Sequence, residues 1–425
     1  MKKTVPVIIA LVLGSARIVN AQPLPPVTEP FGTSFVQLDL ASAQANALSS
    51  SPDVTIARSE VERNRAALAQ ARATFGPAAF ANYAANPQLA PSGVGSATQT
   101  LTTVGLQTTL GDLFSYSPLV AQAAAALRAS EADERTAERV ERSKLVTLYF
   151  GALRARAIFG ARRTSLASAT AARDAAQKRF SAGDAPRLDV VRADVAIARA
   201  TADLAAARAA DANATEALRI ETSVRVDFAQ TRSEPLADFA AIPDPQAAIA
   251  RALQTRSDIV SAREAVAAER AQVRATERGT FPPLTIQGGY SRGIDGGTAI
   301  AGPNLTANLT IPLGGAASAR VAQERQRLVQ AEAKLTNTER AVTLDVGSAT
   351  RTYAATHEAR LAASQARIQA AAEFAATDLG YRNGGSSSFE LAGARATFAQ
   401  AQVDELSAIY DEAAARAALQ LATEA

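Results

Sequence analysis

A helical segment with two parallel apolar stripes limits the possible folds of this chain more than any other feature. Twelve of the 22 residues from Ala193 to Ala214 are alanine. The first stripe is Leu188, Val191, Val195, Ala198, Ala202, Ala205, Ala209 and Ala212, and the second is Val190, Ala193, Ile197, Ala200, Leu204 and Ala207. Both repeat with alternating spacings of three and four residues, the pattern of a left-handed coiled coil. Because one stripe packs against one neighbour, two stripes predict a wall of helices with a neighbour on each side.

The turn before this helix has its own signature. Gly183 can adopt the left-handed backbone conformation that ends many helices, and it follows Phe180 by three residues. We expect Asp184 to cap the next helix and Pro186 to occupy its first turn. The segment is therefore predicted to be a helix–turn–helix hairpin with its tip near residues 181–187.

The turn and the helix occur a second time later in the chain. Tyr381, Gly384, Phe389, Leu391 and Ala394 match Phe180, Gly183, Leu188, Val190 and Ala193, each at an offset of 201 residues (381 minus 180). The same offset relates three further pairs: Val120 and Val321, Glu131 and Glu332, Glu138 and Glu339. Self-similarity at a fixed offset indicates repeat architecture, so we expect two structural repeats of about half the chain each.

The N-terminus has the pattern of a secretory signal peptide, which we assign to residues 1–21. Two lysines precede the apolar run 5–13, and residues 19–21 form a small-residue cleavage site. The apolar run is too short to span a bilayer. A retained anchor is the alternative interpretation.

Composition excludes several classes of function. Removal of residues 1–21 takes away Lys2, Lys3 and Arg17 and no acidic residue, so the formal charge falls from +3 to 0. A neutral chain with interleaved charges does not predict nucleic-acid binding. The absence of cysteine excludes disulfides, thiolate metal sites and an N-terminal lipid on cysteine.

Two stretches change from helical periodicity to a period of two, which predicts β-hairpins at residues 78–111 and 283–313. In the first, Val104, Leu106, Thr108 and Leu110 alternate with Thr103, Gly105, Gln107 and Thr109, and residues 78–86 form a weaker strand. In the second, Leu284, Ile286, Gly288 and Tyr290 alternate with Thr285, Gln287, Gly289 and Ser291, and Leu305, Ala307, Leu309 and Ile311 alternate with Thr306, Asn308 and Thr310.

These signals divide the chain in order. A proline-rich leader at 22–36 precedes the first repeat at 37–221, a linker at 222–246, and the second repeat at 247–425, whose tip turn lies near 381–388. In the first repeat, Gly111 and Pro118 are expected to end the hairpin. A nearly unbroken helical pattern then runs from Leu119 to about Phe180, with Gly151 and Gly160 as candidate joints.

Four strands with one polar and one apolar face suit a boundary between water and lipid. Strands of about nine to eleven residues cross a bilayer when tilted. Four are too few to close a barrel, because known single-chain barrels begin at eight, and an open sheet cannot remain in lipid with unpaired edges. Strands must therefore be pooled from several chains, and three chains would supply twelve. The alternative is a soluble four-stranded sheet that faces a layer of helices.

The order of elements resembles that of the TolC-type outer-membrane efflux proteins, the outer-membrane factors of tripartite export systems. The most specific matches are Phe180-x-x-Gly183 with Leu188-Asp189-Val190, Tyr381-x-x-Gly384 with Phe389-Glu390-Leu391, and Pro77 and Pro282 at the helix-to-strand transitions. The resemblance covers nearly the whole mature chain. It implies a mainly α fold in which a homotrimer forms a 12-stranded membrane β-barrel and a long coiled-coil α-helical barrel.

The same resemblance implies a function and a location. The protein would be the exit duct of a tripartite efflux or type I secretion system in the outer membrane of a Gram-negative bacterium, with most of the chain in the periplasm. Its partners would be sister copies, outer-membrane lipid, a periplasmic adaptor and an inner-membrane pump. Substrates would pass passively, and the pump would select them.

Candidate functional residues lie at the two tips. By resemblance, acidic residues just after the second tip turn line the constriction, and Glu390 sits at one such position. A second family position is Gly393 here, while Asp189 is the counterpart of Glu390 in the first repeat. Either carboxylate could instead stabilise a helix N-terminus through its dipole. Phe180, Gly183, Tyr381 and Gly384 are the candidates for adaptor docking, although turn geometry alone accounts for the glycines.

Other functional classes find little support in the sequence. His357 is the only histidine and lies within a helical pattern, so we expect a solvated or hydrogen-bonded role. No nucleophilic cysteine, phosphate-binding glycine loop or HExxH motif is present, and no enzyme activity, metal or cofactor is expected. A soluble periplasmic coiled-coil scaffold is the alternative function. It explains the apolar stripes but leaves the four alternating strands unexplained.

Overall fold

The computed structural model describes residues 39–73, 76–89, 96–110, 112–224, 243–295, 298–311 and 315–424. The expected signal peptide, the leader and most of the linker lie outside these residues. The first repeat contains α1 (Leu40–Ser50), α2 (Pro52–Ala73), β1 (Ala78–Leu89), β2 (Ser96–Thr109), α3 (Asp112–Ala182) and α4 (Arg187–Thr222). The second contains α5 (Pro245–Thr255), α6 (Ser257–Arg278), β3 (Leu284–Asp295), β4 (Thr298–Leu309), α7 (Ala316–Arg382) and α8 (Ser388–Thr423). The predicted fold class, mainly α with four strands and an internal repeat, is confirmed.

The two repeats correspond element by element, with a change of offset at the hairpins. Helices α2 and α6 begin 205 residues apart (257 minus 52), whereas α4 and α8 begin 201 residues apart (388 minus 187). The second repeat is therefore four residues shorter between these points. Between the strand bounds lie six residues in the first hairpin (90–95) and two in the second (296–297), a difference of four.

The long helix α3 differs from its prediction at its start and in its middle. It begins at Asp112 rather than Leu119, so Pro118 lies inside it, and it continues without interruption through Gly151 and Gly160. Its 71 residues span about 107 Å. A proline in the second turn removes one hydrogen bond of the helix, and packing along the following residues outweighs that local loss.

The helices form a layer with two open edges. In the half that ends at the tips, the order of contact is α4, α3, α8, α7; in the half next to the sheet it is α2, α3, α6, α7. Helix α7 thus forms one edge along its whole length, and α2 with α4 forms the other. The core lies where α1 packs on α3 and α4, around Tyr149 and Leu218, and where α5 packs on α7 and α8, around Ile259 and Val346.

The two stripes of α4 have opposite environments. In the second stripe, Val190 and Ala207 are buried and the other members are half-buried against the protomer. Every member of the first stripe is exposed, and Leu188, Val191 and Val195 remain 52, 48 and 47 % exposed. The predicted neighbour on one side of α4 is α3, and no described element of the protomer covers the first stripe on the other side.

The four strands form one antiparallel sheet in the order β1-β2-β3-β4. The register places polar side chains opposite one another on one face. The hydroxyl oxygens of Thr103 and Ser291 lie 2.9 Å apart, and those of Thr109 and Thr285 lie 3.4 Å apart. Nε2 of Gln287 donates to Oε1 of Gln107 at 3.2 Å. On the other face Val104, Leu106, Tyr290, Leu305 and Leu309 are all more than half exposed. The predicted alternation is confirmed, and among the described residues no helix packs on either face.

The single histidine has a buried partner. Its Nδ1 atom lies 2.6 Å from Oε1 of Glu412, a fully buried carboxylate on α8, and Arg360 also bonds to that carboxylate. His357 and Arg360 both lie on α7, so the cluster ties α7 to α8. The hydrogen-bonded role expected for His357 is confirmed.

None of the described helices combines the length and the apolar character that crossing a bilayer requires.

Candidate gate at the tips of the helical hairpins

Both tip turns have the same backbone geometry, set by one glycine each. Gly183 has φ +84° and Gly384 has φ +79°, and no atom lies near the position of an added Cβ at either residue. The amide of Asp184 donates to the carbonyl of Arg179, five residues back, at 2.9 Å, and the equivalent bond from Gly385 to Gly380 measures 2.8 Å. These are Schellman caps, which satisfy helix-terminal carbonyls and need a left-handed residue. The predicted turn geometry of both glycines is confirmed.

The helices that leave the two turns begin differently. Pro186 is the N-cap of α4, with no side-chain hydrogen bond, so the predicted cap by Asp184 is wrong. The backbone amide of Asp184 instead closes the preceding helix. Asp184 therefore lies two residues before the N-cap of α4. Helix α8 instead begins with a capping box. Ser387 accepts from the amide of Glu390 at 3.2 Å, and the Glu390 carboxylate accepts from the amide of Ser387 at 2.7 Å.

Glu390 is an exposed, ionised carboxylate at the end of this hairpin. The hydrogen bonds from the backbone amide and then the hydroxyl of Ser387 lower the pKa of its side chain below the ordinary value. Because the charged form is the one that accepts these bonds, Glu390 keeps its negative charge to a lower pH than a free glutamate. It caps a helix, which was the alternative interpretation, and its exposure leaves the charge free to act on solutes.

Asp189 occupies the equivalent position on α4 but faces the second hairpin. One carboxylate oxygen accepts from the hydroxyl of Ser388, and the other accepts from the hydroxyl of Tyr381 at 3.4 Å. Arg192 donates to Ser388 at 3.1 Å and lies 3.9 Å from Asp189. The side chain of Asp189 is only 10 % exposed. It therefore joins the start of α4 to the end of α7 and the start of α8.

Two arginine side chains also lie over aromatic rings where the two hairpins meet. The guanidinium of Arg179 lies 4.6 Å from the ring centre of Tyr381, and that of Arg192 lies 5.8 Å from the ring centre of Phe389. Burial raises the pKa of the Tyr381 hydroxyl, against an opposing effect of Arg179. The hydroxyl therefore stays protonated and remains a donor to Asp189. Asp189, Arg192, Tyr381 and Ser388 are called the tip cluster below.

The structure brings together only some of the residues that the sequence marks. Asp189 and Tyr381 are in contact, Glu390 follows Ser388 by two residues, and Phe180 is partly exposed close to Gly183 in the chain. Ser388 and Arg192 were missed as functional residues, since a serine and an arginine carry no specific signal in an Arg-rich sequence. No group of acidic or histidine side chains suited to a metal ion occurs in the described part of the chain.

The model of the family described as "Outer membrane efflux protein" matches this sequence twice, over residues 44–220 and 248–424. The chain belongs to the outer membrane efflux protein family. The two matched segments correspond to the two structural repeats. As a member of this family, the protein is located in the outer membrane. The family resemblance inferred from the tip motifs is confirmed.

Solved structures share the fold at low sequence identity. A membrane protein from Pseudomonas aeruginosa is 19 % identical with a TM-score of 0.78, over 95 % of this chain and 98 % of that chain. The outer-membrane channel OprN is 20 % identical with a TM-score of 0.79, over 93 % and 94 %. The outer membrane channel CmeC of Campylobacter jejuni is 17 % identical with a TM-score of 0.76, over 94 % and 90 %. A sequence search among characterised proteins finds no significant match.

Replacing Asp189 by alanine tests the tip cluster. The change removes the acceptor for Ser388 and Tyr381, and two lost hydrogen bonds cost about 1 to 3 kcal/mol. We expect amides of residues 381–391 to exchange with solvent roughly tenfold faster in the purified efflux protein, measured by mass spectrometry. Asp174→Ala is the control, because Asp174 makes one exposed ion pair with its neighbour Arg173. Equal exchange in both variants would show that the cluster does not hold the hairpins together.

Proposed function

We propose that this efflux protein is the exit duct of a tripartite export system. Three copies form a 12-stranded barrel in the outer membrane and a helical tunnel in the periplasm. A periplasmic adaptor and an inner-membrane pump engage the tunnel at the hairpin tips. The duct conducts passively and performs no enzymatic step, so substrate selection rests with the pump; efflux and type I secretion are the two classes of export that this architecture serves.

The uncovered sheet is the observation that supports this proposal most strongly. In the described protomer the outer sides of β1 and β4 have no strand partner, and both faces are free of helices. An open edge in lipid leaves backbone amides and carbonyls without hydrogen bonds, which costs several kcal/mol for each group. Three sheets joined edge to edge remove all such edges and give twelve strands.

The two faces of the sheet fit the two environments of a barrel. The apolar face presents Val104, Leu106 and Leu305 to lipid, and the polar face presents hydroxyl and carboxamide groups to a water-filled lumen. Strands of 12 to 14 residues exceed the minimum of about 9 to 11 for a tilted crossing.

Close approach of two strands at glycine also favours a strongly curved sheet. A Cβ at Gly105 would lie 2.3 Å from the carbonyl oxygen of Gly288, and one at Gly289 would lie 2.6 Å from that of Val104. Only glycine permits this approach on the polar face. Glycine kinks of this kind provide the curvature that barrel closure requires.

The tips provide the proposed gate. Three copies bring six hairpins to one opening, and Glu390 contributes one exposed carboxylate from each copy. A ring of three negative charges attracts cations and repels anions. We assign Asp189 a different part of the same gate, because its contacts with Tyr381 and Ser388 hold neighbouring hairpins together in this conformation. The surrounding surface, with Phe180 and the two turn glycines, is the proposed site of adaptor docking.

Detergent dependence separates the duct from the soluble periplasmic scaffold. The mature protein should fractionate with the outer membrane and form a trimer in detergent, measured by light scattering on size exclusion. A scaffold would remain soluble, with its apolar sheet face covered. A monodisperse monomer in water without detergent would therefore refute the proposal.

The charge of Glu390 can be tested apart from its role as a cap. Glu390→Gln keeps a side-chain oxygen for the Ser387 amide, as glutamine does in natural capping boxes, but removes the charge. We expect trimers in planar bilayers to lose much of their cation preference, read as a reversal potential closer to zero in a salt gradient. Ser387→Ala, which weakens the cap and keeps the charge, should retain the preference. Unchanged selectivity in Glu390→Gln would eliminate the ring.

The same measurement has an expected pH dependence. The lowered pKa of Glu390 means that its charge is present above the ordinary glutamate value and is lost only as the pH falls through the depressed value. The cation preference should therefore persist at pH 4.5 in the unchanged protein. It should decline at a higher pH in Ser387→Ala, which keeps the backbone amide but removes the hydroxyl that also bonds to the carboxylate.

Substitution of Gly384 by valine tests docking at the tip. A β-branched residue at φ +79° costs about 1 to 3 kcal/mol and must distort the turn. We expect trimers to form while export stops, measured as accumulation of substrate in cells with the cognate adaptor and pump. Gly385→Ala is the matched control in the same turn, since its added Cβ would meet only a carbonyl oxygen at 3.7 Å. Full export by Gly384→Val would argue against docking at this turn.

A further inference from the structure

The α7 edge of the helix layer carries an apolar stripe of its own. Leu361, Gln365, Ile368, Ala372, Ala375 and Leu379 follow one another at spacings of four and three residues, and all are exposed in the protomer. This is coiled-coil spacing with one polar interruption. Helix α7 uses its other faces against α8. Both edges of the tip half, α4 and α7, therefore present seams that no other described helix covers.

The two seams can be compared at a common height. Contacts of Asp189 with Ser388 and Tyr381 place the two hairpin tips at one level. Height is counted in residues upward from Arg187, where α4 begins, and backward from Arg382, where α7 ends. Rotation about a threefold axis along the tunnel does not move a residue along that axis, so each residue has the same height in every copy. The helices run in opposite directions, as in an antiparallel coiled coil.

Away from the tip, the large residues of the α7 seam lie at the heights of alanines on the α4 seam. Ile368 stands at height 14 (382 minus 368), beside Ala198 and Ala202 at 11 and 15 (198 and 202 minus 187). Leu361 at 21 (382 minus 361) lies beside Ala209 at 22 (209 minus 187). Such alternation of large and small side chains lets two helix surfaces interdigitate.

Charged residues beside the two seams are also complementary. On α4, Asp194 and Asp203 pair with arginines of α3, and on α7 Arg360 and Arg367 pair with glutamates of α8. By contrast, no ion pair within the described protomer involves any of four other charged side chains: Arg199 and Arg208 on α4, and Glu358 and Glu373 on α7.

These four charged residues form two pairs of opposite sign whose members lie at similar heights. Arg199 stands at 12 (199 minus 187) and Glu373 at 9 (382 minus 373). Arg208 stands at 21 (208 minus 187) and Glu358 at 24 (382 minus 358). A difference of three residues is about 4.5 Å along the axis, within reach of two long side chains.

We propose that ion pairs between copies, Arg199 with Glu373 and Arg208 with Glu358, set the register in which α4 of one copy packs on α7 of the next. The surface is a docking site for a second copy of this chain. This inference rests on the proposed trimeric duct and adds to it which residues face one another. The apolar seams supply the attraction, and the charges reject registers shifted by a turn or more, where like charges or unpaired charges would meet.

Disulfide trapping tests the register, and the natural chain contains no cysteine that could interfere. Ala198→Cys combined with Ala372→Cys places thiols at heights 11 and 10 (198 minus 187, 382 minus 372) on facing helices. Oxidised trimers should then run as covalent dimers and trimers on a denaturing gel. The control combines Ala209→Cys with Ala372→Cys, whose heights of 22 and 10 (209 minus 187, 382 minus 372) lie about 18 Å apart, and should run as monomers.

Charge reversal tests the ion pairs themselves. Arg199→Glu should shorten the half-life of the trimer in dodecyl sulfate by about two- to fivefold, the range for one exposed pair. Adding Glu373→Arg should restore it, because every interface then carries the reversed pair. Arg274→Glu on α6, an exposed position away from both edges, should have no effect.

The outcomes separate this inference from the function on which it rests. If a normal trimer forms but crosslinks through the control pair, the proposed register is wrong and the duct is unaffected. The same conclusion follows if Glu373→Arg fails to restore the half-life of the Arg199→Glu trimer. Absence of a trimer in the unchanged protein would overturn both. Crosslinking through 198 and 372 alone, with rescue by the double reversal, would establish the contact.

Discussion

The structure depends on apolar surface that a single chain cannot bury. The first stripe of α4, the stripe on α7 and one face of the sheet all remain exposed in the protomer. Burying one Leu or Val side chain contributes about 1.5 to 3 kcal/mol, so these surfaces together favour association strongly. Lipid can cover the sheet face, but in water the two helical stripes need protein partners. A free protomer is thus an incomplete unit, and the features of the proposed duct follow from its completion.

The duplicated architecture lets the same position perform two tasks. Asp189 and Glu390 occupy equivalent places at the start of α4 and α8, yet one is enclosed by the second hairpin and the other is exposed. Ser387 gives Glu390 a cap to form, whereas Pro186 offers Asp189 no such partner. Divergence of the residues around a shared backbone turn therefore leaves one carboxylate hydrogen-bonded to the second hairpin and the other exposed, as the proposed gate requires.

The sequence predicts the structure correctly where a local pattern has only one physical solution. Alternation of Leu284, Ile286 and Tyr290 with polar residues could only place them on one face of a strand, and the register confirms it. The turn glycines were equally constrained by backbone sterics. The predictions for Pro118 and Asp184 are wrong, because long-range packing or a competing turn decided the structure at these residues. The contacts of Asp189 could not be predicted, because they join residues 192 and 199 positions apart.

The sequence by itself determined the elements, their duplication and the presence of two seams on α4, because spacing along a helix or strand decides which side chains share a face. Only the tertiary structure decided which seam α3 covers and which remains open, because that depends on the order of helices in the layer. It also decided that Asp189 turns toward the second hairpin and that none of the described helices covers the sheet. These outcomes depend on contacts between distant segments, and periodicity along the chain contains no information about them.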